Sequence, residues 1–146
     1  MEREIVEQFI FKNIFQLSNK LQVEGDKLCK ELTLKQWLLL TILYKSPNKN
    51  PSVNDIALSM GITRQSVKKI LSTLEKEGYV TSMKSLTDSR ALTIIPTDKA
   101  YKFLQTNKYL GNNLLGIVFN EIDTEDLVVV FDVLNKIKLN LNSKNE

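Results

Sequence analysis

Apolar residues in the first part of the chain recur with helical period. Ile5, Val6, Phe9, Ile10, Ile14, Leu17 and Leu21 make a broad stripe that predicts a helix over residues 2 to about 22, with Gly25-Asp26 expected to break it. TLKQWLLLTILYKSP predicts a second helix. Thr33 and Gln36 have capping-box spacing at its start, and Pro47 with the Asn/Lys cluster beyond it marks its end. A short third helix follows in NDIALSMGI. Ser52 and Asp55 can cap it reciprocally, Ile56, Ala57 and Met60 supply its buried side, and Gly61 is suited to close it. Only Ile62 separates Gly61 from Thr63, a natural cap for a fourth helix, RQSVKKILSTLEKEG. There Val67, Ile70, Leu71 and Leu74 share one stripe, and Gly78 ends it.

Beyond Gly78 the period changes. YVTSMK and ALTII are rich in β-branched and aromatic residues and predict two strands, joined by the polar segment Thr87-Asp88-Ser89-Arg90. Pro96-Thr97 is expected to start a long helix that runs to about Asn120. Leu104, Leu110, Leu114 and Val118 lie along it, and Gly111 and Gly116 either weaken it or allow close packing. Asp123-Thr124-Glu125-Asp126 opens a last helix with Leu127, Val130, Phe131, Leu134, Ile137 and Leu141 on one face. The predicted class is mainly α with one small β-hairpin.

Composition narrows the function. The chain has 146 residues, 42% of them apolar and 25% charged, which is enough for a packed core. Its longest apolar runs, LLLTIL and LVVVF, fall far short of the roughly 20 residues that span a bilayer. The segment MEREIVEQ is acidic and amphipathic, unlike a secretory leader, so a cytoplasmic location with no membrane partner is expected. There is one cysteine, Cys29, and no histidine. Internal disulfides are thereby excluded, as are His-based metal sites and His-activated nucleophiles. No glycine-rich phosphate loop is present among five glycines. Neither a cofactor, a metal nor an enzyme activity is implied. The net charge of +3 is too small to identify a polyanionic partner, so the placement of charge must decide.

That placement is informative in the middle of the chain. Two short helices joined through Gly61-Ile62-Thr63 have the spacing of a helix-turn-helix, whose second helix enters the major groove of DNA by its N-terminal residues. Thr63 and Ser66 can donate to phosphate oxygens, and Arg64 and Gln65 have the shapes that pair with guanine and adenine edges. Lys68 and Lys69 continue the basic side. Taken alone, these residues are better described as the ordinary solvated face of a surface helix. The hairpin that follows immediately turns the pattern into a winged helix.

The stretch from Leu32 to about Leu104 resembles a MarR-type regulator. LEKEGYV ends the recognition helix and starts the wing as in that family. Asp88-Ser89-Arg90-Ala91 falls where the family has an acid-arginine-arginine run, and PTDKA where it has a Leu-Thr-x-x-Gly helix start. Pro96 and Ala100 depart from that last motif and fit a helix start, and Ser89 replaces a common basic residue. The resemblance implies a homodimer on near-palindromic double-stranded DNA that represses transcription and responds in some members to small aromatic acids, phenols or oxidants. It implies a winged domain over residues 33–104 and a helical dimerisation region from 1–32 and 105–146. The helices from Thr63 to Thr73 would enter successive major grooves roughly 34 Å apart.

In the family the wing arginine enters the minor groove, which makes Arg90 the probe and Asp88 its positioner here. A narrow A·T-rich groove attracts arginine electrostatically. The plainer reading is a surface pair of little energetic weight. Lys84 is either a phosphate contact or simply solvated. Trp37, Thr41 and Phe15 are candidates for an effector pocket, with core or interface packing as the alternative. Cys29 reads as a structural thiol rather than a redox switch. A winged-helix module for protein–protein assembly is the competing function.

Overall fold

The computed structural model describes residues 2–46, 50–84 and 92–143. In chain order the elements are α1 (Arg3–Leu28), α2 (Leu34–Lys45), α3 (Val53–Met60), α4 (Arg64–Lys76), β1 (Val80–Lys84), β2 (Leu92–Pro96), α5 (Asp98–Val118) and α6 (Thr124–Asn142). They divide between two compact units, Met1–Gly111 and Asn112–Glu146. The predicted order of elements and the mainly α class with one hairpin are therefore observed.

Both expected capping boxes form. Thr33 accepts from the Gln36 amide while Gln36 accepts from the Thr33 amide, and Ser52 and Asp55 do the same for α3. Asp55 accepts from the Ser52 hydroxyl at 2.7 Å and from its amide at 2.9 Å. These bonds, the side-chain one first, hold its carboxyl below the usual range. A lowered carboxylate pKa contributes stability that is present above the unfolded value and lost as pH falls through the folded one. The start of α3 is therefore expected to loosen only below about pH 4. An NMR titration of the Ser52 amide should follow the Asp55 carboxyl, and Asp55→Asn should remove that dependence.

The first unit is built around one core. Leu39, Leu40 and Leu43 of α2 pack with Ile56 and Ala57 of α3, with Val67, Leu71 and Leu74 of α4, and with Val80, Ile94 and Phe103. The hairpin is antiparallel, with Val80 opposite Pro96 and Lys84 opposite Leu92. Ser52 bridges to Thr93, which ties the start of α3 to β2.

Two boundaries differ from expectation. α1 does not break at Gly25 but continues to Leu28. Gly25 is buried, and a Cβ there would lie 2.8 Å from Leu34 Cβ and 2.5 Å from its Cδ2. The glycine permits close approach of α1 to α2, and the Asp26 carboxylate accepts from the Leu34 amide at 2.8 Å. Gly25→Ala should therefore destabilise by about 1–3 kcal/mol through overpacking, despite alanine's higher helix propensity. Chemical denaturation checks the sign. The second difference is Pro96, which ends β2 rather than opening a helix; α5 starts at Asp98. In a two-stranded sheet each strand is an edge, where the missing N–H of proline is tolerated. α5 itself passes through Gly111 and Gly116 and ends at Val118. A Cβ at Gly111 would make only an ordinary 3.8 Å contact with Trp37.

Exposed large apolar side chains are most numerous on α1 and α6. α1 exposes Phe9, Phe11, Phe15 and Leu17, and α6 exposes Val129, Phe131 and Leu139 and buries no residue.

Candidate nucleic-acid interface

α3, its turn and α4 form the helix-turn-helix, and the turn is made by local chemistry. Gly61 adopts φ 67°, a left-handed conformation that glycine enters without strain, and its N–H bonds back to Ala57 and Leu58. The Ile62 amide also reaches the Ala57 carbonyl, at 3.1 Å. Thr63 then caps α4, its hydroxyl accepting from the Ser66 amide at 3.1 Å and lying 2.9 Å from the Ser66 hydroxyl. Thr63 and Ser66 are thus paired to each other in the free protein. The Arg64 and Gln65 amides fall among the first-turn groups that have no intrahelical acceptor, so they point out of the helix as anion donors.

α4 has two opposed faces. Val67, Leu71 and Leu74 are buried, whereas Arg64, Gln65, Lys68, Lys69 and Ser72 are exposed. Among the described residues the ion pairs join Arg3 to Glu7 and Lys27 to Glu24, and none involves Arg64, Lys68, Lys69 or Lys84. Among the described residues Arg64, Lys68 and Lys69 of α4 are therefore presented to solvent without an ion-pair partner, on a helix whose other side is held by the core. Lys84 is exposed at the end of β1. The hairpin tip, with Asp88 and Arg90, lies outside the described residues.

The recognition helix is joined to its surroundings by bonds that periodicity does not reveal. The Glu75 carboxylate accepts from the Ser82 amide at 3.2 Å and from its hydroxyl at 2.8 Å, which links α4 to the first strand of the wing. Tyr79, just beyond α4, is buried and donates its hydroxyl to Glu31 at 3.0 Å. Burial and then the Glu31 hydrogen bond push its phenol up to about 12, so it remains a donor at neutral pH. LEKEGYV contains both Glu75 and Tyr79, but their partners lie on other elements, and only the pairing across the fold identifies their roles.

Of the three effector-pocket candidates, Trp37 and Thr41 are joined by a hydrogen bond one turn apart on α2, whereas Phe15 lies against Phe11 on α1. Trp37 is half-buried with its ring edge-on to Phe103 at 5.2 Å, Thr41 donates its hydroxyl to the Trp37 carbonyl at 3.0 Å, and Phe15 is exposed beside Phe11. A cavity of about 220 Å³ lies elsewhere in the first unit, lined by Glu31, Tyr79, Lys99, Lys102, Phe103 and Thr106 among others. Cys29 is half-buried, and its sulfur accepts from the Glu31 amide at 3.3 Å. Among the described residues no group of three or more potential ligands could hold a metal ion, and no helix is long and apolar enough to cross a membrane.

A helix-turn-helix followed directly by a two-stranded wing defines a winged helix-turn-helix protein. Residues 32–92 match the sequence model described as the MarR family. The HTH-type transcriptional regulator BilQ of Clostridioides difficile (strain CD3) is 26% identical over 128 residues, covering 86% of each chain. Among solved structures, Sco3205, a MarR family transcriptional regulator from Streptomyces coelicolor in complex with DNA, superposes with a TM-score of 0.82. It is 20% identical, and the match covers 94% of this chain and 88% of that one. The organohalide-sensing regulator RdhR in its 2,4-dichlorophenol-bound form gives a TM-score of 0.80 at 20% identity, over 92% of this chain and 80% of the other. The fold is therefore the winged-helix fold of MarR-family transcriptional regulators, and nothing in the family match points to catalysis.

Proposed function

We propose that this protein is a sequence-specific DNA-binding transcriptional regulator that represses from a near-palindromic operator as a homodimer in the cytoplasm. The observation that carries the reading is the two-faced recognition helix. Val67, Leu71 and Leu74 fix it in the core while Arg64, Gln65, Lys68 and Lys69 project unpaired among the described residues. Thr63, Ser66 and Lys84 would add phosphate contacts, and Arg90, positioned by Asp88, would probe the minor groove. The likeness to Sco3205 in complex with DNA supports the same use of the fold. The exposed apolar residues of α1 and α6 support a dimerisation region formed by residues 1–32 and 105–146, with residues 33–104 as the DNA-binding domain.

A small-molecule effector would release the operator. The likeness to a regulator solved with 2,4-dichlorophenol supports an aromatic ligand, for which Trp37, Thr41 and Phe15 are the candidate contacts. Footprinting on DNA beside the protein's own gene, with sedimentation to read the oligomeric state, tests the whole reading. A dimer that protects two half-sites one helical turn apart supports it. A stable monomer, or a protein that protects no DNA, contradicts it and favours a protein–protein assembly module.

A further inference from the structure

The carbonyl groups at and just beyond the C-terminal end of the recognition helix are received by Thr97 and the first turn of α5. Thr97 donates its hydroxyl to the Gly78 carbonyl at 2.7 Å and to the Tyr79 carbonyl at 3.1 Å, and its amide bonds to Tyr79 at 3.0 Å. Lys99 reaches further back, donating from Nζ to the Glu77 carbonyl at 2.7 Å. The same ammonium lies 4.4 Å from the centroid of the Tyr79 ring, and Tyr79 is itself bonded to Glu31. A cation at this end of α4 is favoured by the helix dipole as well as by the carbonyl it binds.

We infer that Lys99 is a positioning residue for DNA recognition: it clamps the C-terminal end of the recognition helix to α5 and so fixes the angle at which Arg64 to Lys69 are presented. The inference rests on the DNA-binding reading above. Its mechanical basis is leverage. A helix of 13 residues is about 20 Å long, so a tilt of about 5° about the clamped end moves Arg64 by nearly 2 Å. That displacement is enough to break base-edge hydrogen bonds, whose donor–acceptor distances span only a few tenths of an ångström. Lys99 acts through α4 and touches no phosphate.

This separates it from an ordinary basic contact by experiment. Lys99 is exposed, so its replacement leaves the core intact. Lys99→Met keeps an unbranched stem over Tyr79 but removes the charge and the donors, and Lys99→Arg keeps both. Binding of a duplex carrying the footprinted operator is measured for each over a salt series, and amide exchange is followed in the DNA-free protein. The Met variant should bind about three- to tenfold more weakly with an unchanged slope of log K against log salt, and the Arg variant should restore affinity. Exchange at the Tyr79 amide, bonded to the Leu74 carbonyl at 2.8 Å, should quicken in the Met variant alone. Unchanged affinity in the Met variant, a slope reduced by about one unit, or unchanged Tyr79 exchange would each overturn the inference. Wild-type protein that binds no DNA would sink the DNA-binding reading, while the exchange measurement still decides the clamp.

Discussion

Replacing Arg64, Lys68 and Lys69 together by alanine is expected to weaken operator binding by at least about a hundredfold while leaving the fold unchanged. One good bidentate base contact is worth about 1–3 kcal/mol of discrimination, and each phosphate neutralised adds roughly 0.9 to the salt slope. The triple variant should therefore lose affinity and also reduce the slope by about two to three units. The three side chains are exposed and make no ion pair among the described residues, so their removal breaks no ion pair there. Alanine is at least as good a helix former as the residues it replaces. Circular dichroism should be unaltered, and a fluorescence-anisotropy titration reads the loss. Among the single variants, Arg64→Ala should relax specificity at one base pair, whereas Lys68→Ala should weaken all sequences alike.

The second large effect is on stability. Leu40 is fully buried in the middle of α2, so Leu40→Ala should cost about 2–5 kcal/mol from lost transfer energy and the cavity left behind. In a chain of this size that lowers Tm by roughly 5–15 °C. Leu58 is the control. It also sits in a helix of the first unit, but it is 75% exposed, so Leu58→Ala should stay within about 0.5 kcal/mol of wild type. Equal losses at the two leucines would contradict the assigned core.

The contrast between those leucines shows where the sequence was legible. α3 and α4 were readable because their signals are local. Ser52 and Asp55, Gly61 and Thr63 each bond within a few residues, and the stripe of Val67, Leu71 and Leu74 has one period. LLLTIL was readable as a helix, but its run of apolar residues could not say that Leu39, Leu40 and Leu43 face inward while Leu38 is left half in solvent. The continuation of α1 through Gly25 was not legible, since the reason for the glycine is Leu34, a residue on another helix. Pro96 misled for a similar reason. Its fixed φ suits a first helical turn and a strand end equally, and only the pairing with Val80 decides.

The candidate interface divides in the same way. The exposed basic residues of α4 follow from periodicity, and the structure leaves them where the sequence put them. The residues that hold α4 in place do not. Glu75 to Ser82, Tyr79 to Glu31 and Lys99 to Glu77 span 7, 48 and 22 residues, and none of these separations carries a periodic signal. Motif spacing points to the residues proposed to face DNA, and tertiary contacts determine what keeps them in place.

The central claim is that the exposed face of α4 binds the phosphate backbone and base edges of duplex DNA. Its most direct measurement is a salt series of binding to a random duplex and to the footprinted palindrome. The account predicts that log K falls linearly with log salt, by several units of slope, on both duplexes, with the palindrome bound more tightly throughout. Absence of binding to either duplex at about 50 mM salt, or an affinity that does not change with salt, would contradict it.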